Sequence, residues 1–358
     1  MRSTAIRTPR LAGIRSKLAA RRSTAASGVT RCISGLSTTP RPLINSQITL
    51  ASSSSAFSTC SVTQKHASTS SPQHVIPIDM AFDLVQPKEV TAKGQTLVIC
   101  HGLFGSKQNW RSLAKTFASK LGMPVYTLDL RNHGTSPHAE PHTYSAMAED
   151  LAHFFKKQNL ISGVNLMGHS MGGKAVMAFA LNEKLNSPLR SLISVDMSPA
   201  IGKISPEFSA YTDAMMEVEK AQVKTKHEAD GIFAKVEPSL PTRQFLLTNT
   251  KQTHGHNPHL VFRIPIELLS NAIKHIGDFP YTPPTSPETI SPTSPIWKGP
   301  TLFLKGSQSK YINRKNIPVA EQFFPNMKLE ILDTGHWVHA EKPHETVELV
   351  KKFIESVE

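Results

Sequence analysis

The chain has few cysteines and no long apolar run. Only three of its 358 residues are cysteine, at Cys32, Cys60 and Cys100, which is too few for a disulfide framework. No run of about 18 apolar residues occurs, which excludes a membrane-spanning helix of the usual length. A chain of this length can bury a sizeable core, and we therefore expect a fold held together mainly by hydrophobic packing.

Acidic residues are absent from the first 78 positions, which contain eight Arg and two Lys. The rest of the chain has 30 basic and 27 acidic residues, so the formal net charge of +13 comes mainly from the N-terminal segment. Because the remainder is nearly neutral and has no block of Lys and Arg, we expect no nucleic-acid partner.

Residues 1–78 have the composition of a mitochondrial transit peptide followed by a disordered linker, with 26 Ser and Thr. Leu11, Ile14 and Leu18 lie at helical spacing among arginines, which predicts a short basic amphipathic helix suited to an import receptor. Arg31-Cys32-Ile33-Ser34 resembles a matrix-processing site. The predicted location is the mitochondrion, in the matrix, and a basic terminus without a targeting role is the alternative.

From residue 97 onward, short apolar runs alternate with helical patterns, which is typical of a mostly parallel sheet with helices on both faces. We therefore predict one α/β domain over residues 79–358. A stretch at about residues 200–300 is helical in pattern with no clear strand, which predicts an inserted helical cap. The predicted strands cover residues 97–100, 125–130, 164–167, 192–197, 301–305 and 329–332.

The motif Gly168-x-Ser170-x-Gly172 lies between a predicted strand and a predicted helix, which is the context of a nucleophile elbow. Such a turn holds the central residue in a strained backbone conformation and leaves no room for a Cβ on its neighbours. A serine needs a base to become nucleophilic, and His336 follows the last predicted strand, in the chain order of α/β hydrolases. The backbone N–H groups of Leu103 and Met171 are the predicted oxyanion hole.

The residues alone leave three possibilities for the acid that would orient His336. Asp196 ends a strand next to the nucleophile, from which a carboxylate can reach a histidine on the last loop, and we favour it. Asp333 is closer to His336 in sequence but lies at a strand end, where a capping role is equally reasonable. The third possibility is that neither Asp196 nor Asp333 is the acid. Residues 306–309 contain no carboxylate where hydrolases of this fold usually have one, and Ser309 is a candidate to share the hydrogen-bond network.

Several other patterns have simpler explanations. Gly168-x-x-x-x-Gly173-Lys174-Ala175 is one residue away from a phosphate-binding loop, but Ala175 lacks the hydroxyl that would hold Mg²⁺. His254, His256 and His259 have no neighbouring Cys or acid, so we expect no metal site and no cofactor. We expect Asp129 and Arg131 to form a structural pair with each other at a strand end, and Phe104 and Trp337 to be possible acyl-pocket residues.

Five motifs together resemble a known family. In order along about residues 97–350, they are similar to the mitochondrial α/β-hydrolase-domain family that includes the yeast ethanol acetyltransferases and bacterial short-chain esterases. The resemblance implies an α/β-hydrolase fold and a Ser-Asp-His triad at Ser170, Asp196 and His336. The motifs are His101-Gly102-Leu103-Phe104-Gly105-Ser106 with Asn109-Trp110, Asp129-x-Arg131-Asn132-His133-Gly134-x-Ser136-Pro137, Gly168-His169-Ser170-Met171-Gly172-Gly173-Lys174, Val195-Asp196-x-Ser198-Pro199 and Gly335-His336-Trp337-x-His339.

The predicted function is a serine hydrolase that acts on short-chain carboxylic esters or thioesters through an acyl-enzyme on Ser170. The family resemblance also implies an alternative, an alcohol acetyltransferase that makes ethyl acetate from acetyl-CoA and ethanol. A non-catalytic interaction protein on a hydrolase scaffold is a third hypothesis. The expected partner is a small-molecule ester or thioester, with acetyl-CoA and an alcohol under the alternative.

Overall fold

The computed structural model describes residues 75–284 and 295–357. The strands are β1 (Phe82–Val85), β2 (Thr96–Cys100), β3 (Val125–Leu128), β4 (Val164–His169), β5 (Leu189–Val195), β6 (Thr250–Gln252), β7 (Leu260–Phe262), β8 (Thr301–Gly306) and β9 (Met327–Leu332). The helices are α1 (Arg111–Leu121), α2 (Tyr144–Lys157), α3 (Met171–Ala180), α4 (Glu207–Lys220), α5 (Lys226–Phe233), α6 (Leu240–Leu247), α7 (Ile266–Ile276), α8 (Ile317–Phe323), α9 (Val338–Glu341) and α10 (Pro343–Glu355).

Seven strands form one sheet in the order β1-β3-β2-β4-β5-β8-β9. Its neighbouring strands are parallel except for β1, which pairs antiparallel with β3 at one edge. Along β2, Leu97 and Ile99 face the core under α1 and α10, whereas Val98 and Cys100 face the core under α2 and α3. Both faces of the strand are buried, as expected for a parallel strand with helices on both sides. The predicted fold class is confirmed.

The strand β1 is absent from the sequence-based prediction. Its residues Phe82, Asp83 and Leu84 are exposed, so they show neither a buried run nor a clean alternation. An edge strand of this kind takes its conformation from pairing with β3 and carries little signal of its own.

The inserted cap lies between β5 and β8 and contains α4 to α7. The expectation that it has no strand is wrong, because β6 and β7 pair as a small antiparallel sheet. Each has three residues, which is too short for a period of two to be recognised in the sequence. The loop between them carries the three histidines considered above. Within the described residues no group of three His, Cys, Asp or Glu is placed to hold a metal ion.

The prediction that Asp129 and Arg131 pair with each other is wrong. Asp129 accepts from the backbone N–H of Lys107 at 2.7 Å and from its ammonium at 2.5 Å. Arg131 makes a two-pronged bond to Asp150 on α2, at 2.6 and 2.8 Å, and both side chains are fully buried. Each of these two charges is therefore paired with a group from another element. The pairing itself is expected, because a buried ion must be both paired and hydrogen-bonded.

The predicted transit peptide falls outside the described residues, which begin at residue 75. Ile78, the last residue assigned to the predicted linker, is buried in the core, and its N–H donates to Asp150 Oδ1 at 2.9 Å. The packed domain therefore includes this residue. In the two described ranges no helix has the length and apolar character needed to cross a membrane.

Candidate active site

Ser170 occupies the turn between β4 and α3 with φ of 54° and ψ of −120°. This is the left-handed half of φ space, which costs free energy for a residue with a side chain. The flanking glycines allow the turn to close. A Cβ on Gly168 would lie 2.2 Å from the Gly172 carbonyl oxygen, and one on Gly172 would lie 2.4 Å from the His101 carbonyl oxygen. The local geometry is that of the predicted nucleophile elbow.

Replacing Gly172 with alanine should lower the free energy of unfolding by about 1–3 kcal/mol, because the new Cβ meets backbone atoms that cannot move independently. Urea unfolding monitored by circular dichroism measures this change. Gly231 on α5 is the matched control, since nothing lies within 4 Å of its Cβ position. Alanine there should be neutral or stabilising by up to about 1 kcal/mol. Equal effects at the two positions would contradict the steric argument.

The fold brings Ser170, His336 and Asp196 into one hydrogen-bonded chain. Ser170 Oγ and His336 Nε2 are 3.0 Å apart, and His336 Nδ1 and Asp196 Oδ2 are 2.7 Å apart. Asp196 is completely buried, and its Oδ1 accepts from the Gly306 N–H at 3.0 Å. Of the two candidate acids, Asp196 is therefore the one in contact with His336. Asp333 instead accepts from Ser307 Oγ and Gln308 Nε2, at 2.8 and 3.1 Å on the surface.

Ser309 lies in the loop after β8, where the sequence lacks a carboxylate. Its hydroxyl donates to Asp196 Oδ2, the same oxygen that accepts from His336. Asp196 follows β5 with φ of 49°, a conformation uncommon for aspartate, and this backbone is held by the bond from its N–H to the Leu304 carbonyl. The aspartate thus follows β5, whereas hydrolases of this fold usually have it in the loop after β8. In this protein the loop after β8 supplies instead the Ser309 hydroxyl, which donates to the aspartate.

Tyr311 is part of the site, although no motif in the sequence indicates it. Its ring stacks on the His336 imidazole with centroids 4.1 Å apart and planes inclined by 28°. Burial raises the pKa of Tyr311 to about 12, so the ring is neutral at physiological pH. A single tyrosine in a loop has no spacing that indicates such a role, which depends on the chain path after β8.

The backbone groups predicted as the oxyanion hole flank Ser170. Met171 is the first residue of α3, where a backbone N–H has no acceptor within the helix. Leu103 lies in the loop after β2 and lines the same cavities as Ser170. That loop is held at the next residue, Phe104, whose N–H donates to His133 Nε2 at 3.1 Å and whose carbonyl accepts from Asn249 at 2.8 Å. The loop therefore has a defined shape before a substrate binds.

Four buried histidines surround these groups and remain neutral. Burial lowers the pKa values of His101, His133 and His169, and lowers that of His339 to about 3. His169 Nε2 donates to the His336 backbone carbonyl at 3.0 Å, which positions the loop that carries the imidazole. Because these neighbours are uncharged at neutral pH, they do not oppose a positive charge that develops on His336.

Two cavities meet at Ser170. The first has a volume of about 50 Å³ and mostly aromatic walls, which include Phe104 and Trp337, the two residues predicted to line an acyl pocket. The second has a volume of about 430 Å³ and extends under the cap. The ends of the cap segment, near residues 200–204 and 276–277, form part of its wall.

Comparisons with known proteins identify the family. Residues 95–343 match the α/β hydrolase fold family. The chain is 35% identical over 301 residues to a probable alcohol acetyltransferase of Saccharomyces cerevisiae, with 79% of this chain and 85% of that protein covered. It is 38% identical over 285 residues to the sn-1-specific diacylglycerol lipase ABHD11 of Xenopus tropicalis, with 78% and 83% covered. A solved structure, a marine microorganism esterase, is similar with a TM-score of 0.66 and 32% identity over 77% of this chain and 99% of that one.

Proposed function

The chain belongs to the α/β hydrolase fold family and is a serine hydrolase, and we propose that it cleaves short-chain carboxylic esters or thioesters with Ser170, His336 and Asp196 as its catalytic triad. The observation that carries the proposal is the pair of hydrogen bonds of 3.0 and 2.7 Å that link the three side chains. The two relatives described above are named as enzymes, so the hypothesis of a non-catalytic scaffold has no support from them.

The geometry suits acyl transfer in two steps. Ser170 Oγ attacks the carbonyl carbon while His336 Nε2 accepts its proton, and Asp196 holds the Nδ1–H tautomer that makes Nε2 a base. The N–H groups of Leu103 and Met171 donate to the oxyanion of the tetrahedral intermediate. His336 then protonates the leaving alcohol or thiol, which leaves an acyl group on Ser170. Water then attacks the acyl carbon while His336 accepts its proton, and His336 returns that proton to Ser170 Oγ as the bond to the acyl carbon breaks and the acid leaves.

The proposal of a short acyl chain is supported by the first cavity. Its volume of about 50 Å³ is far below the roughly 300–1,000 Å³ of pockets for larger ligands. Phe104 and Trp110, both buried, form part of its wall and leave room for only a few carbon atoms. A longer acyl chain in this cavity would have to displace packed aromatic side chains, which costs free energy. The second cavity is then left for the leaving group and the acceptor.

The test combines active-site labelling with a series of substrates. The full-length protein is treated with a fluorophosphonate, and peptide mass spectrometry identifies the labelled residue, which should be Ser170. The values of kcat/KM for p-nitrophenyl esters from acetate to octanoate should be highest at two to four carbons and fall beyond them. Labelling elsewhere would remove Ser170 from the mechanism. A maximum at octanoate would contradict the acyl-chain assignment.

A second candidate function is acyl transfer from acetyl-CoA to an alcohol. One relative is named a probable alcohol acetyltransferase, and the second cavity offers a surface for an anionic donor. Lys203, Lys310 and Lys315 are exposed on its rim, and no carboxylate occurs among the described residues that line it. The phosphates of a coenzyme A thioester would be attracted to such a rim. An alcohol that replaces water at the acyl-enzyme would then yield an ester.

Replacing Lys310 and Lys315 together with glutamine should raise KM for acetyl-CoA about tenfold, since two charge contacts of up to about 1 kcal/mol each are removed. KM for the neutral p-nitrophenyl acetate should stay unchanged. Lys88→Gln, on an exposed loop outside both cavities, is the control. Gas chromatography measures the product. Ethyl acetate that increases with ethanol supports the transferase, whereas acetate alone, or equal KM changes for both substrates, contradicts it.

We also propose that the protein is imported into the mitochondrial matrix. The support is the composition of residues 1–78, which are rich in Arg, Ser and Thr and lack acidic residues. A fluorescent protein fused after these residues should enter mitochondria. The same fusion with Arg7, Arg10 and Arg15 changed to glutamine should remain outside. A wild-type fusion that stays in the cytosol would refute the proposed location.

A further inference from the structure

Lys174 is a buried lysine that the proposed chemistry does not use. It lies one turn after Ser170 on α3, with 3% of its surface exposed. Its ammonium donates to three backbone carbonyl oxygens, those of Ala200 at 3.0 Å, Gly277 at 2.7 Å and Asp278 at 2.9 Å. This lysine also belongs to the sequence pattern that resembles a phosphate-binding loop. Its ammonium is occupied by backbone groups instead.

The three carbonyls belong to the two ends of the cap. Ala200 follows β5, where the chain leaves the sheet, and Gly277 and Asp278 follow α7, where the chain returns toward it. The two ends are also joined directly, since the Gly202 N–H donates to the Gly277 carbonyl at 3.0 Å. One side chain on α3, the helix that follows Ser170, therefore binds both connections of the cap.

The chemistry of this contact requires a charged lysine. An ammonium group has three N–H donors, one for each carbonyl, whereas a neutral amine has two. The rings of Tyr144 on α2 and Phe279 lie 5.8 and 5.9 Å from the nitrogen, at a distance where an aromatic face attracts a cation. Burying a charge without a carboxylate in direct contact is costly. A methionine of similar length would avoid that cost, so the charge is not needed merely to fill the space.

We propose that Lys174 is a positioning residue that holds both ends of the cap on α3 and thereby sets the width of the second cavity beside Ser170. Lys174, Ala200, Gly202 and Gly277 all line that cavity. A shift of the cap ends would therefore change the space for the leaving group and for the incoming acceptor. This consequence for turnover rests on the proposed function, whereas the attachment of the cap does not.

The attachment should depend on pH. The titratable groups that face the Lys174 ammonium are Tyr144 from α2 and Asp278 at the cap end, which is paired with His275. Burial lowers the pKa of Lys174 from 10.5 to about 8, against the opposing influence of the Asp278 carboxylate. All three hydrogen bonds are present below this pH, and one is lost as the pH rises through it. The pKa of Tyr144 is raised by burial, so this ring stays neutral over the same range.

The test compares Lys174→Met and Lys174→Arg with the full-length wild type. Hydrogen exchange measured by mass spectrometry should be at least tenfold faster at residues 200–204 and 276–280 in Lys174→Met, and unchanged in β4. KM for p-nitrophenyl acetate should rise about tenfold, with kcat within threefold of wild type. Lys184→Met is the matched control, because Lys184 is an exposed lysine just after α3, and it should change neither quantity.

Lys174→Arg keeps a charge at all accessible pH values and supplies several N–H donors. Its KM should therefore be constant between pH 7 and 9.5, whereas KM of the wild type should rise above pH 8. If Lys174→Met fails to fold, the comparison of KM against pH between the wild type and Lys174→Arg tests the proposal, and equal pH dependence of the two would overturn it. Unchanged exchange at the cap ends in a folded Lys174→Met variant would overturn the proposal, as would faster exchange throughout the domain. Hydrogen exchange does not require turnover. If the fluorophosphonate failed to label Ser170, the proposed function would be refuted, but the exchange test of the cap attachment would stay valid.

Discussion

Replacing Ser170 with alanine should lower kcat for p-nitrophenyl acetate by about 10⁶-fold. The serine and its base act as a unit, and removal of the nucleophile in such a unit costs a factor of this order. Ser170 Oγ is the atom that His336 Nε2 contacts at 3.0 Å, and no water or alanine methyl group can form the same acyl-enzyme there. The residual rate is measured at high enzyme concentration from the absorbance of the p-nitrophenolate product, after subtraction of the uncatalysed rate.

The fold of this variant should be unchanged. The strained turn is held by backbone contacts, among them the bond from the Ser170 N–H to the Val195 carbonyl at 3.1 Å, and these do not involve the hydroxyl. A melting temperature within a few degrees of the wild type is the check. Ser112→Ala on the exposed side of α1 is the matched control and should retain full activity. A Ser170→Ala protein with more than a tenth of the wild-type kcat would exclude Ser170 as the nucleophile.

Replacing Asp196 with asparagine should lower kcat by about 10⁴-fold at neutral pH. The carboxylate accepts the Nδ1–H of His336 at 2.7 Å, which leaves Nε2 free to act as the base toward Ser170. An asparagine amide that donates at this position would favour the other tautomer, in which Nε2 carries the hydrogen. The bond from the Gly306 N–H to Oδ1 keeps the side chain in place, so the loss should come from the tautomer and not from unfolding.

Asp333→Asn is the control for this experiment. Asp333 is the other acid near His336 in sequence, but its oxygen accepts from Ser307 and Gln308 at the surface. Its kcat should stay within about threefold of the wild type, since surface substitutions away from such a site have small effects. Steady-state kinetics of both variants at pH 7 and 8 gives the comparison. A nearly active Asp196→Asn together with an inactive Asp333→Asn would reverse the assignment of the acid.

The features that could be predicted from the sequence are those with a local cause. The elbow at Ser170 follows from two glycines between an apolar strand and a helix, because a Cβ on Gly168 would meet the Gly172 carbonyl oxygen within the same five residues. The parallel sheet follows from buried strands that alternate with helices. The edge strand β1 and the short pair β6 and β7 lack such local signals, because exposed or three-residue strands depend on their pairing partners.

The partners of buried charged residues also depend on groups that are not local in sequence. Asp129 and Arg131 are two positions apart, which makes a mutual pair the simplest expectation. Each is satisfied instead by a group from another element, Lys107 in one case and Asp150 in the other. Sequence spacing has no information about which distant carboxylate or ammonium arrives at a buried site.

The α/β alternation, the strained turn at Ser170 and the position of His336 after the last strand of the sheet all follow from local sequence patterns. Three features follow from the packing of the whole chain: Asp196 meets His336, Ser309 and Tyr311 support this pair, and Lys174 binds the cap. The contacts of His336 with Asp196 and with Ser170 join residues 140 and 166 positions apart, and Lys174 reaches 103 positions to Gly277. Contacts over such separations exist only after the strands have packed in their final order, because the carboxyl ends of parallel strands bring distant loops to one edge.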